Sequence, residues 1–458
     1  MNHLKAFSGF EKWVRPLAQN RTFYSLNLDN YLEQTSMQIT NVELRVLFIN
    51  TFANTLDTTA YFYIREGKSH TYIITGDIEA MWLRDSTAQI WHYLPLAHTA
   101  PEIESLLIGL IRNHARCILL DPYANAFYNE EKLGIHASDI TKMLPGVHER
   151  KWELDSLIYP ISLAIKFWDL TGNSQPFDEM WKASIALILK TLREQQRIDG
   201  HGPYSFDRIT TNPIDTLTNA GKGPKYQYTG MIASSFRASD DACLYPFNIP
   251  ENLFALATLK NCKELLQDFL GHELVKEISE IIADISSGLE IFAKTMHPIY
   301  GEIYAYEVDG LGNSICMDDA NVPSLLSLPF LGALGIHDAT YQSTRAFVLS
   351  QANPIFSVGS LGAGIGSSHT GEGRIWPLSL IIQAITSCDD DEILRCIQLL
   401  IDSSVGTGLL HESFNANNAN DFTRPWFAWC NSLFADLIVR LLNEKPELLN
   451  QLPMYRQS

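Results

Sequence analysis

The amino-acid sequence predicts an all-α fold built as one domain. Apolar residues recur at helical spacing from Leu274 to Phe292 and again from Ile393 to Ile401. The stretch after Glu153 is apolar almost all round, as expected of a helix buried among others. Alternating patterns typical of β-strands are few and short. No linker or low-complexity segment interrupts the 458 residues, so we expect a single domain, 1–458, with a short N-terminal extension at about 1–35.

The segments that join these helices predict how the helices are arranged. Pro160 is expected to bend or interrupt the helix after Glu153. Loops rich in Gly, Asp, Asn and aromatic residues begin near Asp121, Tyr304 and Gly366. Many helices joined by such loops suit a closed ring of helical hairpins, since about twelve helices of about 12–18 residues would use up a chain of this size. The loops at one end of the ring would then form the site.

Composition excludes several classes of partner. The net charge is −18, with 34 basic and 52 acidic residues, so no basic surface is expected to bind nucleic acid. No stretch of about 18 apolar residues predicts a membrane span, and residues 1–20 lack the apolar core of a signal peptide. The seven cysteines are spread out without a CxxC pair, which indicates reduced thiols. We expect a soluble cytoplasmic protein; the sequence makes no prediction of its oligomeric state.

The first candidate segment runs from Thr75 to Gln89 and reads TGDIEAMWLRDSTAQ. An indole face packs on the C–H surface of a sugar ring, while an Arg–Asp pair makes directed hydrogen bonds to its hydroxyl groups. Trp82, Arg84 and Asp85 therefore suit a sugar site. The same residues would also suit a helix cap beside a core tryptophan, and the segment alone leaves both interpretations open.

A second segment places Asp240 and Asp241 side by side after Arg237. Adjacent carboxylates in a cleft repel each other, so one of them can stay protonated near neutral pH and donate a proton to a leaving oxygen. A general acid has this requirement. Paired aspartates also cap helices, and the motif alone does not separate the two interpretations.

A third segment, LLHESFNANN, places Glu412 beside His411 and several asparagines. A carboxylate among hydrogen-bonding groups could hold a water molecule as a general base. An acidic residue of a surface loop would give the same pattern. The aromatic residues that follow, Trp426, Phe427 and Trp429, are more typical of a core than of a sugar platform.

Metal and cofactor chemistry find little support in the sequence. The thirteen histidines form no HExxH or HxH motif, and no Cys/His cluster has ligand spacing. GxGxxG, P-loop and GxSxG motifs in the required context are missing as well, which disfavours nucleotide cofactors and serine hydrolases. We expect no metal and no cofactor. His136, His369 and His411 lie in polar loops, where each could bind a sugar hydroxyl or serve a structural role.

Eight motifs occur in order between about Thr75 and Phe434: TGDIEAMWLRDSTAQ, DPYANAF, ERKWELDSLIYP, SDDAC, MDDANVPSLLSLP, GIGSSHT, IWPLSL and HESF with FTRPWFAW. Together they resemble glycoside hydrolase family 125, the exo-α-1,6-mannosidases. The resemblance implies an (α/α)6 barrel, and release of terminal mannose with inversion, without metal or cofactor. It also implies a mannose-containing oligosaccharide as substrate, such as an N-glycan fragment.

The same resemblance implies roles for single residues. The general acid would be an aspartate of the SDD block, Asp240 before Asp241, and the general base would be Glu412. An inverting mechanism needs its two carboxyl groups roughly 6.5–9.5 Å apart, so that a water molecule fits beneath the anomeric carbon. The other residues expected to bind the sugar are Asp77, Trp82, Arg84, Asp85, His136, Lys151, Glu153, Asp155, Arg237, His369 and Trp376.

Three positions depart from the family pattern. Trp152 stands where tyrosine is expected, and Ala238 and Ser368 stand where proline is usual. These differences concern loop geometry and linkage preference rather than the class of reaction.

Two other functions are compatible with a helical barrel. A sugar epimerase would need histidine proton shuttles, for which His136, His369 and His411 are the candidates. A catalytically inactive glycan-binding protein would keep the fold without the reaction, although the intact SDD and HESF blocks count against it.

Overall fold

A computed structural model describes residues 13–452 of the chain. The first part of the expected N-terminal extension at about 1–35 lies outside the described residues. Its described part includes a buried ion pair, in which Arg15 Nε lies 2.7 Å from Asp57 Oδ2. This ion pair anchors the described part of the extension at Arg15.

The described residues are mostly helical, as predicted. The α-helices are α1 Leu26–Ser36, α2 Val42–Thr58, α3 Leu83–Ala88, α4 Pro101–Leu120, α5 Leu154–Thr171, α6 Glu179–Gln195, α7 Thr218–Gly221, α8 Ile249–Leu270, α9 His272–Phe292, α10 Ala339–Val348, α11 Pro377–Ile385, α12 Asp390–Ser403 and α13 Ala428–Glu444.

Short β-strands pair into sheets of two or three strands, all antiparallel where strands are paired. These strands are β1 Ala60–Arg65, β2 Lys68–Ile73, β3 Met81–Trp82, β4 Ala126–Phe127, β5 Val147–Glu149, β6 Phe247–Asn248, β7 Lys294–His297, β8 Gly301–Tyr304, β9 Glu307–Val308, β10 Ser314–Ile315, β11 Phe356–Val358, β12 Ala363–Ile365, β13 Arg374–Ile375, β14 Ser413–Asn415 and β15 Asn418–Thr423.

The helix predictions are confirmed, and the loop predictions need one correction. The segments with helical spacing form α9 and α12, and the apolar stretch after Glu153 forms α5. The predicted loops near Asp121, Tyr304 and Gly366 contain short strands, among them β4, β9 and β13. Most of these strands have two residues, which is too short for an alternating pattern to be visible in the sequence.

Pro160 does not interrupt α5, contrary to one of the two expected outcomes. A proline inside a helix removes one backbone hydrogen bond and costs about 3 kcal/mol. All residues from Leu154 to Ile165 are buried, including Pro160 itself. Burial of a helix on every face stabilises it by more than this local loss, because each buried aliphatic side chain contributes about 1.5–3 kcal/mol.

The chain forms two compact units. Within the described residues, unit 1 comprises 13–79, Asp85–Gly109 and 356–452, and unit 2 comprises Ala80–Arg84 and Leu110–Ile355. In unit 1, α2 packs against α13 and α11 packs against α12. In unit 2, α8 packs against both α5 and α9. The single domain expected from the sequence stays a prediction.

One small sheet of unit 2 positions many of the polar residues discussed below. β3 pairs with β4, and β4 pairs with β5, each antiparallel. The chain leaves this sheet at Arg84 after β3 and at Lys151 and Glu153 after β5, while Asn125 directly precedes β4. These four side chains are therefore brought to one end of the sheet from three separate segments.

The seven cysteines are free, as the sequence predicted. Across residues 13–452, no helix combines the length and the apolar character that crossing a membrane would need.

Candidate active site

A cluster of carboxyl groups surrounds Arg84 in unit 2. Arg84 Nη1 lies 2.7 Å from Glu153 Oε2 and 3.3 Å from Asp155 Oδ2, and Nη2 lies 3.8 Å from Asp240 Oδ1. The side chains of Glu153 and Asp155 have 0% exposure, whereas that of Asp240 has 26%. Among these three carboxyl groups, Asp240 is therefore the one that a ligand can reach.

Asn125 joins three carboxyl groups through one amide nitrogen. Its Nδ2 lies 3.2 Å from Glu149 Oε2, 3.2 Å from Glu153 Oε1 and 3.1 Å from Asp240 Oδ1. Its Oδ1 accepts a hydrogen bond of 3.2 Å from the backbone N–H of Lys151. Since this last bond fixes which end of the amide faces the acids, Asn125 orients the Asp240 carboxyl group.

Lys151 and Arg208 are the two cations that donate hydrogen bonds to the residues around Asp240. Lys151 Nζ donates to the backbone carbonyl of Asp240 at 2.8 Å and to Asp215 Oδ1 at 2.7 Å. Arg208 donates to the same Asp215 oxygen at 2.9 Å and to Glu149 Oε1 at 2.9 Å. These cations therefore fix the backbone of Asp240 as well as its acidic neighbours.

The backbone at Asp240 is in the left-handed region, with φ +66°. This conformation is uncommon for a residue with a side chain, although aspartate tolerates it better than most. The N–H of Asp240 donates to the carbonyl of Arg237 at 2.9 Å, and the N–H of Arg237 donates to the carbonyl of Asp241 at 2.8 Å. Asp240 thus lies in a tight turn that Arg237 and Asp241 close, and Asp241 is only 2% exposed.

Arg237 supports this turn from a buried position. Its Nε donates to Glu307 Oε1 at 2.6 Å, and Glu307 Oε2 accepts from the backbone N–H groups of Leu244 and Tyr245 at 3.0 Å each. Arg237 therefore ties the turn to β9, and its role in binding the sugar stays a prediction.

Burial and nearby charges shift the pKa values of the clustered acids in different directions. Burial raises the pKa of Glu153 well above its ordinary value; Arg84 opposes this effect, while Asp240 and Asp155 add to it. Burial also raises the pKa of Asp155, against the opposing effect of Arg84. Burial would raise the pKa of Glu149 too, but nearby cations, Lys151 foremost, outweigh it and lower this pKa.

The expected repulsion around Asp240 involves acids distant in sequence. The Asp240 charge acts on Glu149, Glu153 and Asp155 and favours a higher pKa for each of them, although nearby cations outweigh this effect at Glu149. The sequence placed this repulsion between Asp240 and its neighbour Asp241. In the structure, three acids from one segment, residues 149–155, crowd Asp240.

Trp82 and two histidines line the same part of unit 2. The Trp82 ring contacts His148 edge to face at 5.1 Å, and His148 Nδ1 lies 2.7 Å from the Tyr128 hydroxyl. Burial lowers the pKa of His148 to about 4, so this ring is neutral at neutral pH. His136 is half-buried, and its Nδ1 lies 3.0 Å from Arg208 Nη2. Trp82 is only 6% exposed, and its contact with a sugar stays a prediction.

Glu412 lies in unit 1, immediately before β14. Its Oε1 accepts a hydrogen bond of 3.5 Å from Arg424 Nη1, and the residue is 7% exposed. Arg424 Nη2 also contacts the Asp77 carboxylate. Gly76 has φ +62°, and a Cβ atom there would lie 3.3 Å from Arg424 Nη2. The glycine of the TGD motif is therefore required for the backbone turn that brings Asp77 to this arginine.

The remaining predicted residues of unit 1 have distinct environments. Trp376 is 2% exposed, and its Nε1 donates to Thr370 Oγ1 at 2.8 Å. Asp85 is buried in α3, and His369 is exposed in the loop before β13. His411 stacks on Phe422 at 3.8 Å, and burial lowers its pKa.

The structure brings together only part of the predicted set in each unit. In unit 2, one connected network includes Arg84, His136, Lys151, Glu153, Asp155 and Asp240. In unit 1, Arg424 joins Asp77 to Glu412. Arg237 and Asp241 belong to the turn that carries Asp240.

Five polar residues of these networks were not named from the sequence. Three of them lie inside recognised motifs and could have been selected there, namely Asn125 in DPYANAF, Glu149 in ERKW and Arg424 in FTRPWFAW. Arg208 and Asp215 lie in a segment without a motif, and their role follows from the fold alone.

No group of three or more His, Cys, Asp or Glu side chains within residues 13–452 has an arrangement that could hold a metal ion.

Together, these features define a class of protein. The mostly helical fold and its clustered carboxyl groups are compatible with a glycoside hydrolase, since most such enzymes use a pair of Asp or Glu side chains. The comparisons with known proteins identify the family within this class. The chain matches the family model of metal-independent α-mannosidases, GH125, over residues 41–439, and it belongs to this family.

Two relatives match nearly the whole chain. The chain is 38% identical to the meiotically up-regulated gene 157 protein of Schizosaccharomyces pombe over 457 residues, which covers 95% of this chain and 90% of that protein. It is also 38% identical to a metal-independent α-mannosidase of Streptococcus pneumoniae, solved in a non-productive substrate complex with α-1,6-mannobiose. That match has a TM-score of 0.88 and covers 93% of this chain and 100% of the other.

A more distant likeness concerns the fold alone. A rhamnosidase of family GH78 from Bacillus sp. GL1 is 10% identical, with a TM-score of 0.51. The match covers 89% of this chain and 35% of that enzyme.

Proposed function

We propose that this protein is an inverting exo-α-1,6-mannosidase that removes terminal mannose from oligosaccharides such as N-glycan fragments. The observation that carries the proposal is the position of Asp240, an accessible carboxyl group held among buried acids by Asn125 and Lys151. The α-1,6-mannobiose complex of the S. pneumoniae relative supports the linkage. The corresponding architecture is an (α/α)6 barrel, in keeping with the mostly helical fold.

In the proposed reaction, Asp240 is the general acid and Glu412 is the general base. Asp240 gives its proton to the glycosidic oxygen as the bond to the anomeric carbon breaks. Glu412 takes a proton from the water molecule that attacks this carbon from the opposite face, which inverts its configuration. Arg424, beside Glu412, orients the base, and Asn125 orients the acid.

The exposure of the two aspartates supports Asp240 over Asp241 as the acid. A general acid must come within hydrogen-bonding distance of the glycosidic oxygen. The Asp240 side chain is 26% exposed, whereas Asp241 is 2% exposed. We therefore assign Asp241 to the support of the turn.

The other predicted residues would bind the terminal mannose by hydrogen bonds and ring packing. Asp77, already joined to Arg424, and Trp82 are the candidates whose surroundings were described above. Exo action requires that only a chain end can reach the acid and base. The cytoplasmic location stays a prediction of the sequence.

The experiment that tests this function measures mannose release from α-1,6-mannobiose, with the α-1,2 and α-1,3 isomers as matched controls. Proton NMR of the early product distinguishes the anomers. We expect β-mannose first, from the 1,6 isomer, with no effect of EDTA. Early α-mannose would contradict inversion, and no release from any isomer would contradict the proposed function.

A further inference from the structure

We propose that Glu153 is a positioning residue that stays protonated through the reaction and donates its carboxyl hydrogen to Asp240. This inference rests on the proposed role of Asp240 as general acid, and it replaces the expected contact of Glu153 with the sugar. A side chain with 0% exposure, enclosed by Arg84 and Asp155, is placed to act through Asp240 rather than on a ligand directly.

Glu153 and Asp240 share the same amide donor. Asn125 Nδ2 lies 3.2 Å from Glu153 Oε1 and 3.1 Å from Asp240 Oδ1, so both oxygens adjoin the same amide. A side-chain hydrogen bond with Asp240 is also among the causes that raise the pKa of Glu153. Ionised carboxylates only accept hydrogen bonds, so a bond between two carboxyl groups forms only when one is protonated.

The balance of charge points the same way. Buried carboxylates without enough compensating positive charge take up protons. Arg84, with a single positive charge, contacts three carboxyl groups. In the described part of unit 2, the arginine and lysine ion pairs of the wider cluster join three cations to six carboxyl groups. The cations are Arg84, Lys151 and Arg208. The carboxyl groups are those of Asp139, Glu149, Glu153, Asp155, Asp215 and Asp240.

The contacts of Glu153 also indicate which oxygen carries the proton. Its Oε2 accepts hydrogen bonds from Arg84 Nη1 at 2.7 Å and from the Ser156 hydroxyl at 2.8 Å, as a carbonyl oxygen does. This leaves Oε1, beside Asn125, as the oxygen that carries hydrogen and faces the acid. Burial raises the pKa of Glu153 well above its ordinary value, in agreement with this assignment.

Other titratable groups face the pair from the surrounding elements. They are Arg84 of α3, His148 and Glu149 of β5, Lys151, Asp155 of α5, Tyr204 and, through Asp155, Glu251 of α8.

A neutral Glu153 makes Asp240 a better acid. When the bond to the anomeric carbon breaks, its electron pair stays on the glycosidic oxygen, which takes the proton of Asp240. The Asp240 carboxylate formed at that moment accepts hydrogen bonds from Glu153 and Asn125. An ionised Glu153 would instead place a second negative charge beside it. Asp240 afterwards regains a proton from solvent, and Glu412 releases to solvent the proton that it took from water.

The test compares Glu153→Gln with Glu149→Gln, which removes an acid bonded to the same Asn125 nitrogen. The alkaline limb of kcat/KM on α-1,6-mannobiose reports the pKa of the acid in the free enzyme. Glu153→Gln keeps a neutral donor, so we expect the limb to stay in place. Glu149→Gln removes a negative charge near Asp240, which lowers the pKa of the acid. We therefore expect the alkaline limb to shift to lower pH by about one unit. Circular dichroism of both variants checks their folding.

If Glu153→Gln fails to fold, Glu153→Met tests the same role. Glu153→Met is neutral but has no donor, so the Asp240 carboxylate is less stabilised and the limb moves to higher pH. A downward shift of the limb in either Glu153 variant, as large as that in Glu149→Gln, would show that Glu153 is ionised and would overturn the proposal.

The same assay on Asp240→Asn separates this inference from the proposed function. If Asp240 is the acid, Asp240→Asn loses activity on mannobiose but retains it on 2,4-dinitrophenyl α-mannoside, whose leaving group needs no proton. Equal activity on both substrates, relative to the unsubstituted protein, would reject the role of Asp240. A failure confined to the Glu153 variants would reject only the role of Glu153.

Discussion

The two proposed catalytic carboxyl groups have opposite surroundings. Asp240, in unit 2, is crowded by the acids Glu149, Glu153 and Asp155. Glu412, in unit 1, has Arg424 as its ion-pair partner. Asn125 donates a hydrogen bond to the first carboxyl group, and the guanidinium group of Arg424 donates one to the second. The comparison shows how two chemically similar side chains can be given the different tasks of acid and base.

The largest expected effect is that of Glu412→Gln. Removal of the general base should lower kcat about 10²–10⁴-fold on every mannoside, because activation of water does not depend on the leaving group. Steady-state kinetics on mannobiose and on an aryl mannoside would measure it. Azide, as a nucleophile that needs no base, should restore turnover with release of a β-mannosyl azide. Full activity of the variant without azide would contradict the role of Glu412.

Arg424→Met should have a smaller effect on the same step. The arginine orients Glu412 without touching the leaving group, so we expect about a 10–100-fold loss of kcat, equal for poor and good leaving groups. Arg374→Met is the matched control. Arg374 forms an ion pair with Asp421 in the sheet of β13, β14 and β15, the same sheet that Glu412 precedes and Arg424 follows. A loss in the control as large as that in Arg424→Met would indicate general disruption of the sheet.

Lys151→Met should affect Asp240 through its backbone. The ammonium group donates to the Asp240 carbonyl and to Asp215, which fixes a turn with positive φ. We expect a loss of about tenfold in kcat/KM on mannobiose and a smaller loss on the activated aryl mannoside. Equal losses on both substrates would show that Lys151 serves sugar binding, as the sequence suggested, rather than the acid.

The last expected effect concerns stability rather than catalysis. Glu153 has a raised pKa in the folded state, so it binds more protons folded than unfolded, and its contribution is lost as pH rises above its unfolded pKa. Glu149 has a lowered pKa, so its contribution is lost as pH falls through the folded value.

Urea unfolding measured from pH 5 to pH 8 would detect this difference. Glu153→Gln should remove a fall of up to about 1.4 kcal/mol per pH unit in the free energy of unfolding. An unchanged slope in this variant would contradict a protonated Glu153.

Much of the fold was predictable from the sequence, because helical spacing is a local signal. The segments that form α5, α9 and α12 show it directly. The course of α5 through Pro160 depends on burial from all sides, which a local pattern does not report. The two-residue strands that organise the region around Arg84 likewise leave no alternating pattern.

The candidate site was predictable where motifs carry it. Arg84, Glu153, Asp240 and Glu412 all lie inside recognised blocks. Their contacts with each other were not predictable, since the acids that crowd Asp240 lie about 90 positions away in the chain. The sequence therefore placed the repulsion on Asp241, its neighbour in the chain.

The epimerase alternative finds no support in His411, one of its three candidate histidines. His411 is buried against Phe422, its Nδ1 lies 2.9 Å from the carbonyl of Pro425, and burial lowers its pKa. A proton shuttle requires access to the sugar and a pKa near neutrality.

The most direct test of the central claim compares Asp240→Asn with Asp241→Asn on two substrates, α-1,6-mannobiose and 2,4-dinitrophenyl α-mannoside. We predict that Asp240→Asn loses about 10²–10⁴-fold in kcat/KM on mannobiose and far less on the aryl mannoside, whereas Asp241→Asn changes both substrates alike. A selective loss on mannobiose in Asp241→Asn, with Asp240→Asn close to the unsubstituted protein, would contradict the assignment of the acid.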